Sequence, residues 1–436
     1  MRLFTLDRSL RYLNGTYRVL SEEESLLRIR SVQSKVGVTR VAQITDLDRI
    51  GIPVHSVTRP SAAKGAVSVY SGKGVSDEQS RISAVMEAVE RCLGEASRDN
   101  LDIKEPHIRE EWIVDSYSHL EEFENPLDPN ELILPQPLSP ESPIEWVRGW
   151  DLLADEDVLV PANAVYHPYN PPPSVFRLFR SDTNGFAAGN SLEEAILHGL
   201  LEVVERDAYS IAEGTRETGS RIVLDPSDGT PYTLFKKFTD AMVDVYLWNL
   251  PSETGIPTVL AALDDRALRD PALLVIGAGA HLDPAVAVTR ALTEAAQSRL
   301  IQIHGAREDT LREEVMRRAG YTTVKRINRH WYNKRAETIT LPEIANCAER
   351  KPYENIRIVL DRIARIASRA IIVNLTREKI EIPVIRAIVP GLEVSALDST
   401  RIGERVREEM KRRRSSSQNG LQASQPSLTS IMALAH

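Results

Sequence analysis

Residues 77–94, DEQSRISAVMEAVERCLG, carry the pattern on which the architecture turns, because they read as a helix with its polarity inverted. At about 100° per residue, Ser83, Glu87, Glu90, Arg91 and Gly94 fall in one narrow arc. Ala84, Val85, Met86, Ala88, Val89, Cys92 and Leu93 occupy the rest of the circumference. An ordinary surface helix has a limited apolar stripe and a wide polar face. The reversed proportions predict a mostly buried helix, from about Asp77 to Ala96, with a thin acidic seam and Ser76 or Asp77 as its cap. Burying two glutamates is costly unless a cation or hydrogen-bond donors neutralise them.

Two further segments repeat the arrangement. Residues 190–213, NSLEEAILHGLLEVVERDAYSIAE, open with a capping-box signature, either Asn190 with Glu193 or Ser191 with Glu194. Glu194, His198, Glu202, Glu205 and Arg206 line one arc of that helix, and Ile196, Leu197, Leu200, Leu201, Val203 and Val204 cover most of the remainder. Residues 283–305 begin with Asp283 as cap and Pro284 in the first turn. They place Arg290, Glu294 and Gln297 at one-turn spacing, with Arg299 close by. Two readings stand side by side. Each Glu/Arg pair can be a surface ion pair worth about 0.2–0.5 kcal/mol. Alternatively the three seams form one site, in which carboxylates hold Mg²⁺ and arginines hold phosphate. A nucleotide triphosphate beside several glutamates needs a metal, so the carboxylates and arginines imply each other.

The rest of the chain narrows the classes. It has 436 residues, 27% charged, with Lys+Arg 54 against Asp+Glu 62 and a formal net charge of −8. That balance offers no global attraction to nucleic acid or an anionic membrane. Cys92 and Cys347 are too few for a disulfide framework, and Cys92 falls on an apolar arc. The first residues carry charges where a secretory signal needs an apolar run, and no stretch of about 18 apolar residues occurs. The expectation is a soluble, cytoplasmic protein. The motif GxxxxGK[ST] is missing, GAGA at Gly277 lacks the third glycine of a dinucleotide fingerprint, and the histidines show neither HxH nor HExxH spacing. Strand signals occur in residues 57–74 and 144–166, and again at TVLAALDD, ALLVIGAGA, AIIVNLT and IPVIRAIVPGLEV. Pro-rich stretches from Asn125 and His167 read as loops, and the basic, Ser/Gln-rich stretch from Lys411 as a disordered tail.

Taken in order, these residues resemble the YcaO-domain family. Gly72-Lys73-Gly74 followed by Ser83, Glu87, Glu90 and Arg91 is similar to its first ATP-binding signature. Asn184-Gly185, Ala188-Gly189-Asn190-Ser191 and then Glu202, Glu205 and Arg206 look like the second. Arg290, Glu294, Gln297 and Arg299 look like the third, and Val389-Pro390-Gly391-Leu392-Glu393 resembles the late PGLE segment. The resemblance implies a mixed α/β (α+β) fold, with helices on largely antiparallel sheet and an ATP site between helices. Residues 1–58 would be the N-terminal part of the YcaO region, 59–410 the catalytic domain and 411–436 the tail. It further implies ATP and Mg²⁺ as cofactors and a homodimer. Glu87, Glu90, Glu202, Glu205 and Glu294 would be the Mg²⁺ and phosphate residues, with Arg91, Arg206 and Arg290 at phosphate. Ser83, Asn190 and Glu194 would meet the nucleotide, as would Arg18 and Ser25 on a looser match. Asn374 stands where the family pattern leads one to expect an aspartate.

The implied chemistry is ATP-dependent activation of a peptide backbone amide. An amide oxygen leaves poorly until it is phosphorylated. Attack by a Cys, Ser or Thr of the substrate then yields an azoline, and attack by external sulfide yields a thioamide. Azoline-forming relatives often end in a Pro-rich segment, whereas the last residues here contain only Pro426, and no peptide-clasping domain is recognisable. The chain thus resembles the compact members that act with a TfuA-like partner on the methyl-coenzyme M reductase glycine of methanogens. A cyclodehydratase and a non-catalytic ATP-binding module are the alternatives. No catalytic residue beyond the nucleotide set is assigned.

Overall fold

The computed structural model describes residues 10–12, 15–96, 112–306 and 311–418. Helix α1 (Glu22–Val32) starts with a full capping box between Ser21 and Glu24. Helix α2 (Asp77–Leu93) is capped by Ser76 and ends at Gly94, a position where a Cβ would strike the Phe186 ring at 2.5 Å. The helix therefore stops short of the expected Ala96. Two single-turn helices, α3 (Tyr117–Leu120) and α4 (Ala162–Val165), punctuate the segment that follows. Then come the long α5 (Leu192–Thr215), α6 (Thr230–Asp240) and α7 (Pro284–His304). Ser191 caps α5 and Asp283 caps α7, and Pro284 sits in the first turn of α7.

Three antiparallel-rich sheets receive the three inverted helices, one each. Strands Arg40–Gln43, Val54–Thr58 and Val69–Lys73 pair antiparallel, so residues on both sides of position 58 share one sheet. Val57 and Tyr70 of that sheet pack with Ala84, Val85 and Ala88 of α2. A six-stranded sheet runs Ile113–Asp115, Ile144–Asp151, Ile371–Asn374, Val384–Ile388 and Phe186–Ala188, with Glu156–Pro161 also paired to Ile144–Asp151. All of its pairs are antiparallel. It packs against Ile196, Leu200 and Val203 of α5. A five-stranded sheet orders Ile276–Ala280, Thr258–Asp265, Val243–Asn249, Ser220–Val223 and Thr338–Thr340, with only the last pair parallel. It lies under Ala287, Ala291, Leu292 and Ala295 of α7. The GAGA glycines belong to this contact and to no phosphate loop. A Cβ on Gly277 would sit 2.2 Å from Ala295 N, and one on Gly279 2.4 Å from Ala287 O. The small residues let the strand press directly on the helix backbone.

The expected fold class is the observed one: mixed helices on largely antiparallel sheets. The irregular tail expected from Lys411 gives way at its start to a helix, Glu404–Gln418. Residues 404–412 are rich in strong helix formers, and Val406 is buried against Gly214 of α5, which anchors the first turn. The remainder of that expectation, 419–436, lies outside the described residues. Among the described residues no helix is long and apolar enough to cross a membrane.

Candidate functional site

Each inverted helix rests its apolar side on its own sheet, which leaves the three acidic seams to face one another. On α2, the Arg91 guanidinium lies 3.5 Å from Glu87 and 3.7 Å from Glu90. On α5, Arg206 lies 3.5 Å from Glu205 and reaches across to Glu294 of α7 at 3.8 Å. Lys73, at the end of its strand, pairs with the other oxygen of Glu294. Glu205 also accepts a hydrogen bond from Ala280 N at 2.9 Å, tying α5 to the edge of the five-stranded sheet. Glu202 completes the group, within electrostatic reach of Glu90, Glu205, Glu294, Arg91 and Arg206. Ser83 is half-buried on α2, one turn ahead of Glu87.

The electrostatics show a cluster short of positive charge. Glu90 is pushed up to about 8, by burial first, with Glu202 and Glu87 adding to it against the pull of Arg91. Glu202 is pushed up to about 7 by burial, with Glu205 and Glu294 outweighing part of the help from Arg206 and Arg91. At the same time Nη1 of Arg91 and Nη1 of Arg206 are buried with no hydrogen-bond acceptor among the described residues. Carboxylates that resist ionisation beside guanidinium donors lacking an acceptor match a ligand that brings both a cation and oxyanions. No group of three or more acidic, histidine or cysteine donors closes a metal site by itself among the described residues. Mg²⁺ fits that openness, because it keeps waters and takes phosphate oxygens in addition to one or two carboxylates.

A second group adjoins the seam. Arg290 Nη1 lies 3.3 Å from His198 Nδ1. Burial first, then Arg290, Arg18 and Lys73, hold the His198 pKa well below its usual value, so the imidazole is neutral. Arg18 is exposed on the short strand Tyr17–Arg18, within electrostatic reach of Glu194 and Arg290. Glu194 accepts from Val19 N at 2.5 Å and from Asn190 N at 2.8 Å. Its carboxylate thus pins the N-terminal strand to the start of α5. Asn190 Nδ2 donates to Ser25 Oγ at 3.2 Å, joining α1 to the same place. Tyr17 stacks on His281 with ring centroids 5.7 Å apart and donates to Asp283 at 3.0 Å.

The structure therefore gathers the expected residues in two neighbouring sets. Glu87, Glu90, Arg91, Glu202, Glu205, Arg206 and Glu294 form the seam, and Arg18, Ser25, Asn190, Glu194 and Arg290 form the adjoining set. Arg299 departs from the third signature. It is fully buried on another face of α7, held by Asp48 at 2.8 Å and Asp265 at 2.9 Å, and serves the core. Gln297 hydrogen-bonds Ser71 across the sheet. Glu393 of the PGLE segment accepts from Gly403 N and Val406 N, so it anchors the C-terminal helix. Asn374 is exposed at a strand end and accepts from Thr376 N at 3.0 Å. Lys73 opens the first signature, yet no role at the site was expected of it, because its partner Glu294 lies more than two hundred residues later. Tyr17 and His281 carried no sequence signal, because their pairing spans most of the chain.

Three helix seams of carboxylate and arginine, buried where three antiparallel sheets converge, define a protein of the Mg²⁺-nucleotide-binding class. The chain belongs to the YcaO family: residues 71–393 match the family described as YcaO cyclodehydratase, ATP- and Mg²⁺-binding. It is 48% identical over 389 residues to an uncharacterized protein of Methanothermobacter thermautotrophicus, covering 88% of this chain and 97% of that one. It is 31% identical over 407 residues to an uncharacterized protein in the tfuA 3′ region of Rhizobium leguminosarum bv. trifolii, covering 86% and 89%. The YcaO of Methanopyrus kandleri, solved with AMPPCP and Mg²⁺, superposes with a TM-score of 0.74 at 29% identity, covering 91% of this chain and 98% of that one.

Proposed function

We propose that this protein uses ATP and Mg²⁺ to activate a peptide backbone amide, and that external sulfide then replaces the amide oxygen to give a thioamide. The observation that carries the activation step is the under-neutralised seam: Glu90 and Glu202 resist ionisation while Arg91 and Arg206 keep guanidinium donors without acceptors. Glu87, Glu90, Glu202, Glu205 and Glu294 would hold Mg²⁺, which when bound bridges carboxylate to phosphate oxygens and neutralises both. Arg91, Arg206 and Arg290 would hold phosphate oxygens, and Lys73 would join them once Glu294 turns to the metal. Arg18, Ser25, Ser83, Asn190 and Glu194 would line the nucleotide.

In this reading the carbonyl carbon is attacked by sulfide, and the oxygen accepts the terminal phosphoryl group. The C–O bond then breaks, leaving C=S, with the oxygen departing on phosphate and ADP released. The seam contributes positioning and charge neutralisation, which supply most of the catalysis in phosphoryl transfer. The relative in the tfuA 3′ region supports sulfide as the nucleophile and a TfuA-like protein as partner. The methanogen relative supports the methyl-coenzyme M reductase glycine as the modified residue. A homodimer in the cytoplasm completes the proposal.

The family's description as cyclodehydratases favours a second reading, in which a Cys, Ser or Thr of the substrate attacks and an azoline forms. Intact-mass analysis of a glycine-containing substrate peptide, incubated with the protein, Mg-ATP, sulfide and partner, tests both. Sulfur in place of oxygen is the expected result, and loss of water would replace it with the azoline. Nucleotide binding with neither change nor peptide-dependent ADP release would mean a non-catalytic module.

A further inference from the structure

The seam continues past the end of α2 to a side chain that the nucleotide set does not use, His167. Gly94 closes the arc of Glu87, Glu90 and Arg91, and its carbonyl accepts from His167 N at 2.9 Å. Arg91 is the strongest electrostatic neighbour of the His167 ring, followed by Asp182 and Arg386. Arg18, Ser25, Asn190 and Glu194 gather instead around the start of α5. His167 opens the second Pro-rich loop, and that loop is anchored on both sides of the ring. Buried Tyr169 donates its hydroxyl to Glu145 at 2.8 Å and its backbone N–H to Ser181 Oγ at 3.1 Å. Asp182, next to Ser181, accepts from Arg386 at 2.9 Å and from Arg401 at 3.0 Å.

Three described histidines lie within electrostatic reach of the site's arginines, and their hydrogen bonds decide what each can do. Asp283 N donates to His281 Nδ1 at 2.9 Å, and Arg290 Nη1 donates to His198 Nδ1 at 3.3 Å. Neither donor can accept, so in both rings Nδ1 carries the lone pair and Nε2 the proton. His167 is the reverse. Its Nδ1 lies 2.9 Å from Ser181 O, and a carbonyl only accepts, so Nδ1 carries the proton and Nε2 keeps the lone pair. That Nε2 meets no protein partner among the described residues and, on a half-buried residue, is open to solvent. Burial first, then Arg91, with Arg386 adding and Asp182 opposing, brings the ring's pKa down to about 4, so it is neutral at pH 7.

A neutral imidazole with an open lone pair, held at the end of the seam, has the form of a general base. We propose that His167 is the general base of the reaction, its Nε2 taking the proton that the nucleophile must lose. The proposal rests on the amide-activation reading and deepens it by naming the group that completes the sulfur exchange. Hydrosulfide gives an electron pair to the carbonyl carbon, and the C=O π pair moves to oxygen. That oxygen takes the terminal phosphoryl group of ATP, and ADP leaves. The C–O bond then breaks with its pair on phosphate. The S–H pair becomes the second C=S bond, and the proton passes to Nε2. The imidazolium so formed is favoured by the C-terminal carbonyls of α2. Phosphate oxygens on Arg91 favour it further, since they offset the charge that repels it. Nucleotide binding thus brings the base toward the strength its task needs.

The test uses the full chain with nitrogen-labelled imidazoles, the His167 signals being those lost in His167→Gln. In the nucleotide-free protein at pH 7, NMR should find Nδ1 protonated and Nε2 bare. Bound Mg-AMPPCP should raise the proton affinity of the ring at least about tenfold, read from its titration with and without the nucleotide. A proton on Nε2, or a proton affinity that does not respond to Mg-AMPPCP, would overturn the assignment. With peptide, sulfide, partner and Mg-ATP, His167→Gln should lower kcat at least about a hundredfold and remove the acid limb of the pH–rate profile. Mg-AMPPCP affinity should stay within about twofold, which also reports a folded variant. Turnover within about tenfold of the parent would refute the base role. So would loss of nucleotide affinity in both His167→Gln and His167→Asn, which would show a structural role. The NMR measurements need neither turnover nor sulfide. A parent protein that forms no product therefore counts against amide activation, while the state of His167 is decided separately.

Discussion

Helix α7 carries two charge clusters on different faces, and they differ in their sums. Around Arg299, two arginines meet two aspartates: Arg299 binds Asp48 and Asp265, and Arg49 binds Asp265 with both distances at 2.8 Å. Burial works against ionised Asp265, yet the Leu268 amide, Arg49 and Arg299 together bring its pKa below the ordinary value. Around Glu294, the five carboxylates of Glu87, Glu90, Glu202, Glu205 and Glu294 lie among Lys73, Arg91 and Arg206, with Arg386 within electrostatic reach of Glu202. There two carboxylates, Glu90 and Glu202, are raised, where Asp265 is lowered. Both clusters share one helix; Arg299, Asp48 and Asp265 are buried, while Glu87, Glu90, Arg91 and Glu202 are half-buried. A balanced set is complete as folded, whereas an unbalanced one is complete only with a ligand.

The comparison makes its largest claim for Arg299→Ala. Removing one partner of a balanced buried set leaves aspartates uncompensated, so unfolding stability should fall by about 3–5 kcal/mol, read from chemical denaturation. The seam should behave in the opposite way. Glu202→Gln should weaken Mg-AMPPCP binding more than about a hundredfold by calorimetry, a cost of about 2.7 kcal/mol in binding. Its metal-free stability at pH 8 should hold or rise, because a neutral amide replaces a carboxylate that resists ionisation there. If Glu202→Gln unfolds the protein as Arg299→Ala does, the distinction between the two clusters fails.

Proton uptake sharpens the same contrast. Glu90 and Glu202 have folded pKa values above the ordinary Glu value of 4.5, at about 8 and about 7. A raised value means the metal-free fold holds protons that the unfolded chain has released. Their contribution to metal-free stability is full below pH 4.5 and is lost as pH rises through about 7 and then about 8. Binding of Mg-AMPPCP at pH 7 should therefore release protons, and the release should shrink above pH 8. Calorimetry in buffers of different ionisation enthalpy measures this directly. Release that does not change with pH would mean these carboxylates do not meet the metal. The smallest effect is expected for Ser25→Ala, which removes the single bond from Asn190. It should cost about 0.5–1.5 kcal/mol of stability and leave the seam's proton release unchanged.

Much of this was legible because helical periodicity is local. The arcs holding Glu87, Glu90 and Arg91, or Glu202, Glu205 and Arg206, follow from 3.6 residues per turn, and the caps at Ser76, Ser191 and Asp283 follow from their side chains. Arg299 was misgrouped with Arg290 and Glu294 for an instructive reason. It sits nine residues after Arg290, which at about 100° per residue turns it about 180° away, so the order of the family signature grouped it there and helical periodicity did not. Asp48 and Asp265, brought in from distant segments, hold it on that opposite, core-facing side. Lys73 shows the reverse, since its role depends on a strand end meeting α7 more than two hundred residues later in the chain.

The sequence by itself determined which faces of three helices are acidic and where those helices begin, and its signatures resemble those of YcaO proteins, a resemblance that implied largely antiparallel sheets. These properties rest on local spacing and residue chemistry. Only the tertiary structure decided which charges are balanced and which await a ligand. Burial and charge compensation are sums over neighbours that the folded chain assembles from every part of its length, and no local pattern records them.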